Sequence, residues 1–441
     1  MTGLASRSPL WPRADLVRRL CSVLQVAGNA IDVIAANGFS DTEVPANSVR
    51  PEKVISETGL LLLAASTANH HREVRERVAD VAQKLEPHAR SERMLLAICT
   101  EPALAWDYAF AHVCLKRLGY ADGRFDSVLR LIRRSQAQYG RERSPHRALE
   151  QWWTKRGFDS NSRSSRTTTW KVPTFVSDSV LCHPMDVLNG RREDIYAFTH
   201  SLMYVTDLNI TPAPLPRLRA AILADASAVL ARCLDEQDYD LAGEVLLAWP
   251  LTGRTWEPAA AFGFRVLAHV EDQAGFLPST STKLDRLSGL KGEGREQYLL
   301  ATAYHTIYVM GLLCAAALQT GRLPPASIEG RRANPRFADL VLTELDADTR
   351  RPHWRDELAR LSERERGSLS AVLLAIGLHR TVAARDFGRT HKLLHIAEAA
   401  GLTDTPSASQ AAELLQRLAT INCSCEASVP TRPSTHGANG H

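Results

Sequence analysis

Three times along this chain a short acidic turn carrying an aromatic residue is followed by an amphipathic segment of helical period. The turns are Asp122-Gly123-Arg124-Phe125-Asp126, Asp238-Tyr239-Asp240-Leu241 and Arg385-Asp386-Phe387-Gly388; the segments after them are Val128 to Ile132, Glu244 to Trp249 and Lys392 to Ala399. An acidic residue at such a point suits a helix N-terminus, where it meets unpaired backbone N–H groups and the positive end of the helix dipole. The unit is therefore a helix, a tight turn and an antiparallel helix. One hairpin cannot bury its apolar face alone, so the units must stack on one another. This predicts an all-α fold, with antiparallel hairpins closed into an α/α toroid and an open α-solenoid as the alternative. Spacing favours the ring. Tyr108-Ala109-Phe110-Ala111-His112 recurs as Tyr196-Ala197-Phe198-Thr199-His200, 88 positions from Tyr108 to Tyr196, whereas soluble solenoid repeats keep a period of roughly 34 to 45 residues. Pro258 to His269 and Tyr298 to Leu318 are apolar nearly all round, as inner helices of a ring are.

Composition narrows the class. Of 441 residues, 44% are hydrophobic and 23% charged, which excludes a mostly disordered chain, a collagen-like fibre and a coiled-coil rod. The 53 Lys and Arg against 49 Asp and Glu give +4, which argues against a nucleic-acid partner bound through bulk charge. No run reaches the roughly 18 to 20 apolar residues of a membrane span; the longest, Ile307 to Leu318, reads as a core helix. No secretory signal is expected from the N-terminal residues, and the eight scattered cysteines read as reduced, buried thiols. A cytoplasmic protein is expected.

Helix is expected nearly throughout. Pro51-Glu52-Lys53 opens one helix that continues through Leu60 to Leu63, and His71 to Leu85 forms another with a buried stripe. Lys171 to Val176 is the best strand candidate, demoted by Pro173 to an edge or loop. Gly157 to Thr169 and Pro278 to Gly294 read as surface loops. The expected organisation is an N-terminal helical segment (1–94), a toroid-like domain (95–422) and a disordered tail (423–441).

Chemistry concentrates in three places. Helical spacing puts Tyr196, His200, Tyr204 and Asp207 on one face; an imidazole between phenols and a carboxylate suits proton transfer, and a core histidine satisfied by a neighbour is the plain alternative. Tyr304-His305-Thr306 sits on a greasy helix, where His305 must be neutral and hydrogen-bonded, a ligand, or facing a cavity. Asp240 reads as a dipole partner at a helix start, but Glu244 stands beside Val245-Leu246-Leu247 and needs a partner if buried. His112, the His391/His395 pair and Cys423-Ser424-Cys425 read as structural or solvated. The basic stretch Arg130 to Arg147 reads as a solvated face unless it meets an acidic partner or a phosphate. No nucleotide loop, nucleophile elbow or Cys-x-x-Cys pair is present in the sequence.

The hairpins, together with Glu271-Asp272-Gln273-Ala274-Gly275-Phe276-Leu277-Pro278, resemble the α/α-toroid superfamily of terpenoid and lanthionine cyclases, in outline over residues 95 to 405. The wording Phe198-Thr199-His200 to Thr206-Asp207 and Tyr304-His305-Thr306 is also similar to uncharacterised actinobacterial proteins. The resemblance implies a toroid with inner helices around a cavity. It does not extend to either familiar chemistry: Asp346-Ala347-Asp348-Thr349 breaks the class II terpene cyclase acid motif, and Cys182-His183-Pro184 is only half of the lanthionine cyclase zinc set.

The function expected is an enzyme of bacterial specialised metabolism that cyclises, isomerises or eliminates from a small or peptidic, largely apolar substrate. His200, Glu244, Asp207 and Tyr196 are the candidate catalytic residues, and His305, Tyr304, Tyr204 and Asp240 the candidate substrate-binding ones. No cofactor is expected, with a single iron or zinc ion on His200, His305 and a carboxylate as the alternative. The rival is a non-catalytic helical scaffold that binds a peptide or protein.

Overall fold

A computed structural model describes residues 10–36, 50–159, 173–330, 333–345 and 352–427. It is all-helical: about three-quarters is helix, and among the described residues there is no strand, only an isolated bridge between Leu10 and Pro325. The chain begins with α1 (Arg13–Ala36), α2 (Pro51–Ala65), α3 (Arg72–Ala89), α4 (Glu92–Thr100), α5 (Ala105–Tyr108), α6 (Phe110–Arg117), α7 (Gly123–Arg134) and α8 (Pro145–Asp159). It continues through α9 (Arg192–Val205), α10 (Arg219–Asp235), α11 (Tyr239–Leu246), α12 (Ala248–Thr252), α13 (Pro258–Ala274), α14 (Leu284–Ser288), α15 (Gly292–Thr302) and α16 (Tyr304–Thr320). The last group is α17 (Pro335–Leu345), α18 (Trp354–Ala359), α19 (Glu363–Ser368), α20 (Ser370–Ala383), α21 (Phe387–Ala399) and α22 (Pro406–Ala427).

The three acidic turns do what their sequences dictate. Asp122 accepts from the Phe125 N–H at 2.8 Å, Asp238 from Leu241 at 3.1 Å and Asp386 from Arg389 at 3.0 Å, each capping the helix that follows. Reversal needs a left-handed residue just after the C-cap of the preceding helix, supplied by Gly119 (φ 101°), Gln237 (φ 57°) and Arg385 (φ 56°) in the three turns.

Helix α2 packs on α6, α6 on α8, α8 on α9, α9 on α11, α11 on α16, and α16 on α2. Helix α1 backs α2 and α16, α3 backs α1 and α2, α10 and α13 back α11, and α20 packs on α10 with α17, α21 and α22 about it. Glycines allow close helix approaches in this circuit, Gly59 and Gly243 among them. A Cβ on Gly59 of α2 would lie 3.0 Å from the Ala111 Cα of α6, and one on Gly243 of α11 would lie 2.6 Å from the Val309 Cγ1 of α16. One connected core takes in Leu20, Leu61, Leu115, Phe198, Leu246, Leu313 and Leu373, each buried side chain stabilising by roughly 1.5–3 kcal/mol. The boundary expected after residue 94 therefore separates no cores, because α1 and α2 pack directly on α16.

Several local expectations are corrected. Tyr298 to Leu318 is two helices, bent by 71° at Ala303. The hydroxyls of Ser279, Ser281 and Thr282 donate to the Thr302 carbonyl and so terminate α15. Part of the loop expected over 278–294 is helical, as α14 and the start of α15. Helix α8 runs through Gly157 to Asp159, and Thr174–Asp178 is a 3-10 turn rather than a strand. Helix α22 extends to Ala427, into the tail expected to be disordered. Residues 160–172, Asp346 to Thr349, the Cys423 and Cys425 side chains and 428–441 lie outside the described residues. No single described helix is long and apolar enough to cross a membrane.

Candidate functional site

The mutually packed helices α2, α6, α8, α9, α11 and α16 all contribute to the wall of a cavity of about 540 Å³. Its sides are apolar and phenolic, from Leu60, Phe110, Met203, Val309 and Leu312 with Tyr108, Tyr196, Tyr204 and Tyr308. Charge enters in two places: Arg50, Lys53, Arg141, Arg143 and Arg147, set among Glu52, Asp107, Glu142 and Glu150, and a cluster of Glu57, His200, Glu244 and His305.

Glu244 is the centre of that cluster, its side chain 2% exposed. Thr199 Oγ1 donates to its Oε2 at 2.5 Å, with His200 Nδ1 3.5 Å from the same oxygen. His305 Nε2 stands 3.4 Å from its other oxygen, Oε1, and 3.4 Å from Asp240 Oδ1. Behind the ring, His305 Nδ1 lies 2.9 Å from Glu57 Oε2. Two imidazoles from helices far apart in sequence thus meet one carboxylate from opposite sides.

Burial alone would neutralise Glu244, but the imidazoles of His200 and His305 beside it outweigh burial and hold the carboxyl below the ordinary range. Burial likewise opposes charge on His305, yet Glu57 and Asp240 hold its imidazole well above the ordinary value, and His305 in turn keeps Glu57 ionised. Asp240 is pushed up, first by burial and then by Glu244 and Asp238, against the pull of His305. Its Oδ2 accepts from Arg192 at 2.9 Å, while Oδ1 is buried with no hydrogen-bond partner.

His200 Nδ1 is 3.1 Å from the Tyr196 carbonyl one turn back on α9. That acceptor assigns the hydrogen to Nδ1 and leaves Nε2 to a molecule in the cavity. The Tyr196 ring lies against the imidazole with centroids 3.7 Å apart, and the Arg147 guanidinium is 5.8 Å from the ring centre, Nη2 3.4 Å from the phenol oxygen. Burial raises the phenols of Tyr196 and Tyr204 above their usual value, so both are neutral.

Of the residues expected at the site, Tyr196, His200, Tyr204, Glu244 and His305 line the cavity together. Asp240 lies beside it, reaching His305 from the next turn of α11. Tyr304 does not line it. Its ring packs against Tyr308, 5.4 Å between centroids, and Tyr308 faces the cavity instead, its hydroxyl 2.9 Å from Thr58 Oγ1. Asp207 is also elsewhere, because α9 stops at Val205 and the expected spacing ends with it. Residues 207 to 209 turn left-handed, and the buried Asp207 carboxylate accepts from Arg117 at 2.9 and 3.0 Å and from Trp153 at 2.7 Å. The basic stretch divides: Arg130 and Arg133 pair with Asp126 and Asp159, whereas Arg141, Arg143 and Arg147 reach the cavity. His112 is buried against Asp126, and His183 is exposed with Nε2 by the Ser177 carbonyl. His395 is 71% exposed.

Sequence reasoning missed Glu57, Thr199, Arg192 and Tyr308. Glu57 carried the signal that exposed Glu244, a carboxylate on an apolar helix just before Leu60 to Leu63. Thr199 and Arg192 act only through the carboxylates that folding brings to them, and Tyr308 is one phenol on an apolar helix that only packing turns to the cavity.

The sequence model of a family described as a domain of unknown function, DUF6895, matches residues 23–315. The chain belongs to that family. No curated protein and no solved structure matches it. The DUF6895 region holds every cavity-lining residue, from Arg50 on the approach to α2 through Leu312 on α16, and ends before the helices α17 to α22.

Proposed function

We propose that the cavity is the active site of an enzyme that performs acid–base chemistry, a cyclisation, isomerisation or elimination, on a small or peptidic substrate with a largely apolar body. The observation that carries this reading is the placement of His200 and His305 on opposite oxygens of Glu244 at the wall of an open, tyrosine-lined cavity. His200 takes the proton at Nε2 while its Nδ1–H stays on the Tyr196 carbonyl, and Glu244 holds the imidazolium so formed. His305 sets the cationic corner that orients the polar end of the substrate, and Tyr196, Tyr204 and Tyr308 pack its apolar body. The circuit of contacts from α2 through α6, α8, α9, α11 and α16 back to α2 supports an α/α toroid as the architecture around this site.

The test is turnover. The parent and the His200→Gln variant are incubated with fractionated small-molecule extract, and consumption of individual compounds is followed by mass spectrometry. The parent should consume a compound that His200→Gln binds but turns over about 10²–10⁴-fold more slowly, the usual range for a lost proton-transfer group. The scaffold reading has its own support, since His200 Nδ1 is satisfied by its own helix. It predicts that His200→Gln and His305→Gln shift only the melting temperature and that no compound is consumed by the parent, a result that would end the enzyme reading.

A further inference from the structure

We infer that Asp240, Glu244 and His305 form a site for one divalent first-row transition-metal ion beside the cavity. The inference stands on the geometry of these three side chains and does not depend on which reaction the cavity supports.

One ligand atom from each residue falls within 4.8 Å of the others. Asp240 and Glu244, four apart, project from one face of α11, and His305 comes from α16, which Gly243 lets approach closely. The two separations from His305 Nε2 are 3.4 Å to Asp240 Oδ1 and 3.4 Å to Glu244 Oε1. A charged N–H···O bond closes to about 2.7–2.9 Å. Two ligands bonded to a common tetrahedral ion at about 2.0–2.1 Å stand roughly 3.4 Å apart. The spacing fits shared ligation better than hydrogen bonding.

Orientation points the same way. Glu57 accepts the hydrogen on His305 Nδ1 at 2.9 Å, so Nε2 faces two carboxylate oxygens. A bare lone pair there would be repelled by both, and a cation must stand between them. One proton on Nε2 can be donated to one oxygen at a time, whereas Asp240 Oδ1 is buried and has no hydrogen-bond partner. A metal ion satisfies all three atoms at once, taking the place of that proton.

Each ligand is also held from behind. Thr199 fixes Glu244 through Oε2, Arg192 fixes Asp240 through Oδ2, and Glu57 fixes the imidazole through Nδ1. Such outer partners orient metal ligands and set the histidine tautomer. Two carboxylates and one imidazole suit manganese, iron, cobalt or zinc in the divalent state. The adjoining cavity leaves coordination positions for water or a substrate oxygen, where an ion supplies Lewis-acid polarisation.

The test is metal binding by the full chain, purified without a histidine tag and stripped with chelator. Cobalt(II) is titrated in and its d–d absorption recorded, with zinc(II) as competitor and bound metal counted by elemental analysis. The parent should bind one equivalent, with a melting temperature that rises until one equivalent is reached. Asp240→Asn and His305→Gln should each weaken binding at least tenfold. His200→Gln removes the proton-transfer group of the proposed reaction but no ligand, and should bind as the parent does, so loss of turnover and loss of metal are separable. Less than one equivalent on the parent would overturn the inference, as would Asp240→Asn and His305→Gln variants with parental cobalt spectra.

Discussion

Replacing Asp207 by Asn takes one charge out of a fully buried clamp and changes little else. The carboxylate receives both Arg117 guanidinium nitrogens, at 2.9 and 3.0 Å, and the Trp153 indole N–H at 2.7 Å, joining the ends of α6 and α9 to α8. Asp207 is wholly buried and the Arg117 side chain only 11% exposed, so water cannot replace the lost contacts. Asn tolerates the left-handed conformation at φ 50° as readily as Asp, and the substitution therefore isolates the charge. Its amide keeps one acceptor for Trp153 or Arg117 but turns an NH₂ towards the other donor. Removing one partner of a buried pair costs about 3–5 kcal/mol. Urea unfolding followed by circular dichroism should show that loss as a lower midpoint at unchanged slope. Because Asp207 lines no part of the cavity, cobalt binding at saturation should persist. A stability change within about 0.5 kcal/mol, the range of an ordinary surface substitution, would refute the reasoning.

Gly243→Ala sets a methyl 2.6 Å from Val309 Cγ1 and should cost about 1–3 kcal/mol by overpacking; thermal melts of this variant with and without Val309→Ala check it, the second change restoring most of the loss. His112 accepts from Arg90 at Nδ1 and faces Asp126 at Nε2, and burial first, then Arg90, pushes it down to about 4 from 6.5. A neutral buried histidine contributes stability that is present above 6.5 and lost as pH falls towards 4, with a ceiling on the order of 3 kcal/mol; urea stability across that window should fall more in the parent than in His112→Gln. Asp386→Ala removes the cap on Arg389 N–H at 3.0 Å and should cost about 1 kcal/mol in a melt, leaving metal binding at the cavity untouched.

What the sequence displays well is local. Helical period, the Asp122, Asp238 and Asp386 caps, and the lone polar groups His200, Glu244 and His305 on apolar helices are all readable because each depends on residues a turn or two away. Asp207 and Tyr304 show where that reading stops. The first was placed by extending a helix past Val205, where the chain instead turns left-handed; the second shares α16 with His305, but its ring packs on Tyr308, which faces the cavity in its stead. Both outcomes are set by packing that no local pattern displays. Glu57 was hidden differently. Its signal was as strong as that of Glu244, but it lay in a segment assigned to a separate N-terminal part, and only the packing of α2 on α16 brings it to His305.

The central claim is that His200 and His305 flank the Glu244 carboxylate beside space open to a ligand. An electron-density map of the crystalline protein tests it most directly. The account predicts the two imidazoles on opposite oxygens of Glu244, with solvent or ligand density between that carboxylate and the Tyr108 and Tyr196 wall. Either ring turned away from Glu244, or side chains filling that space, would contradict it.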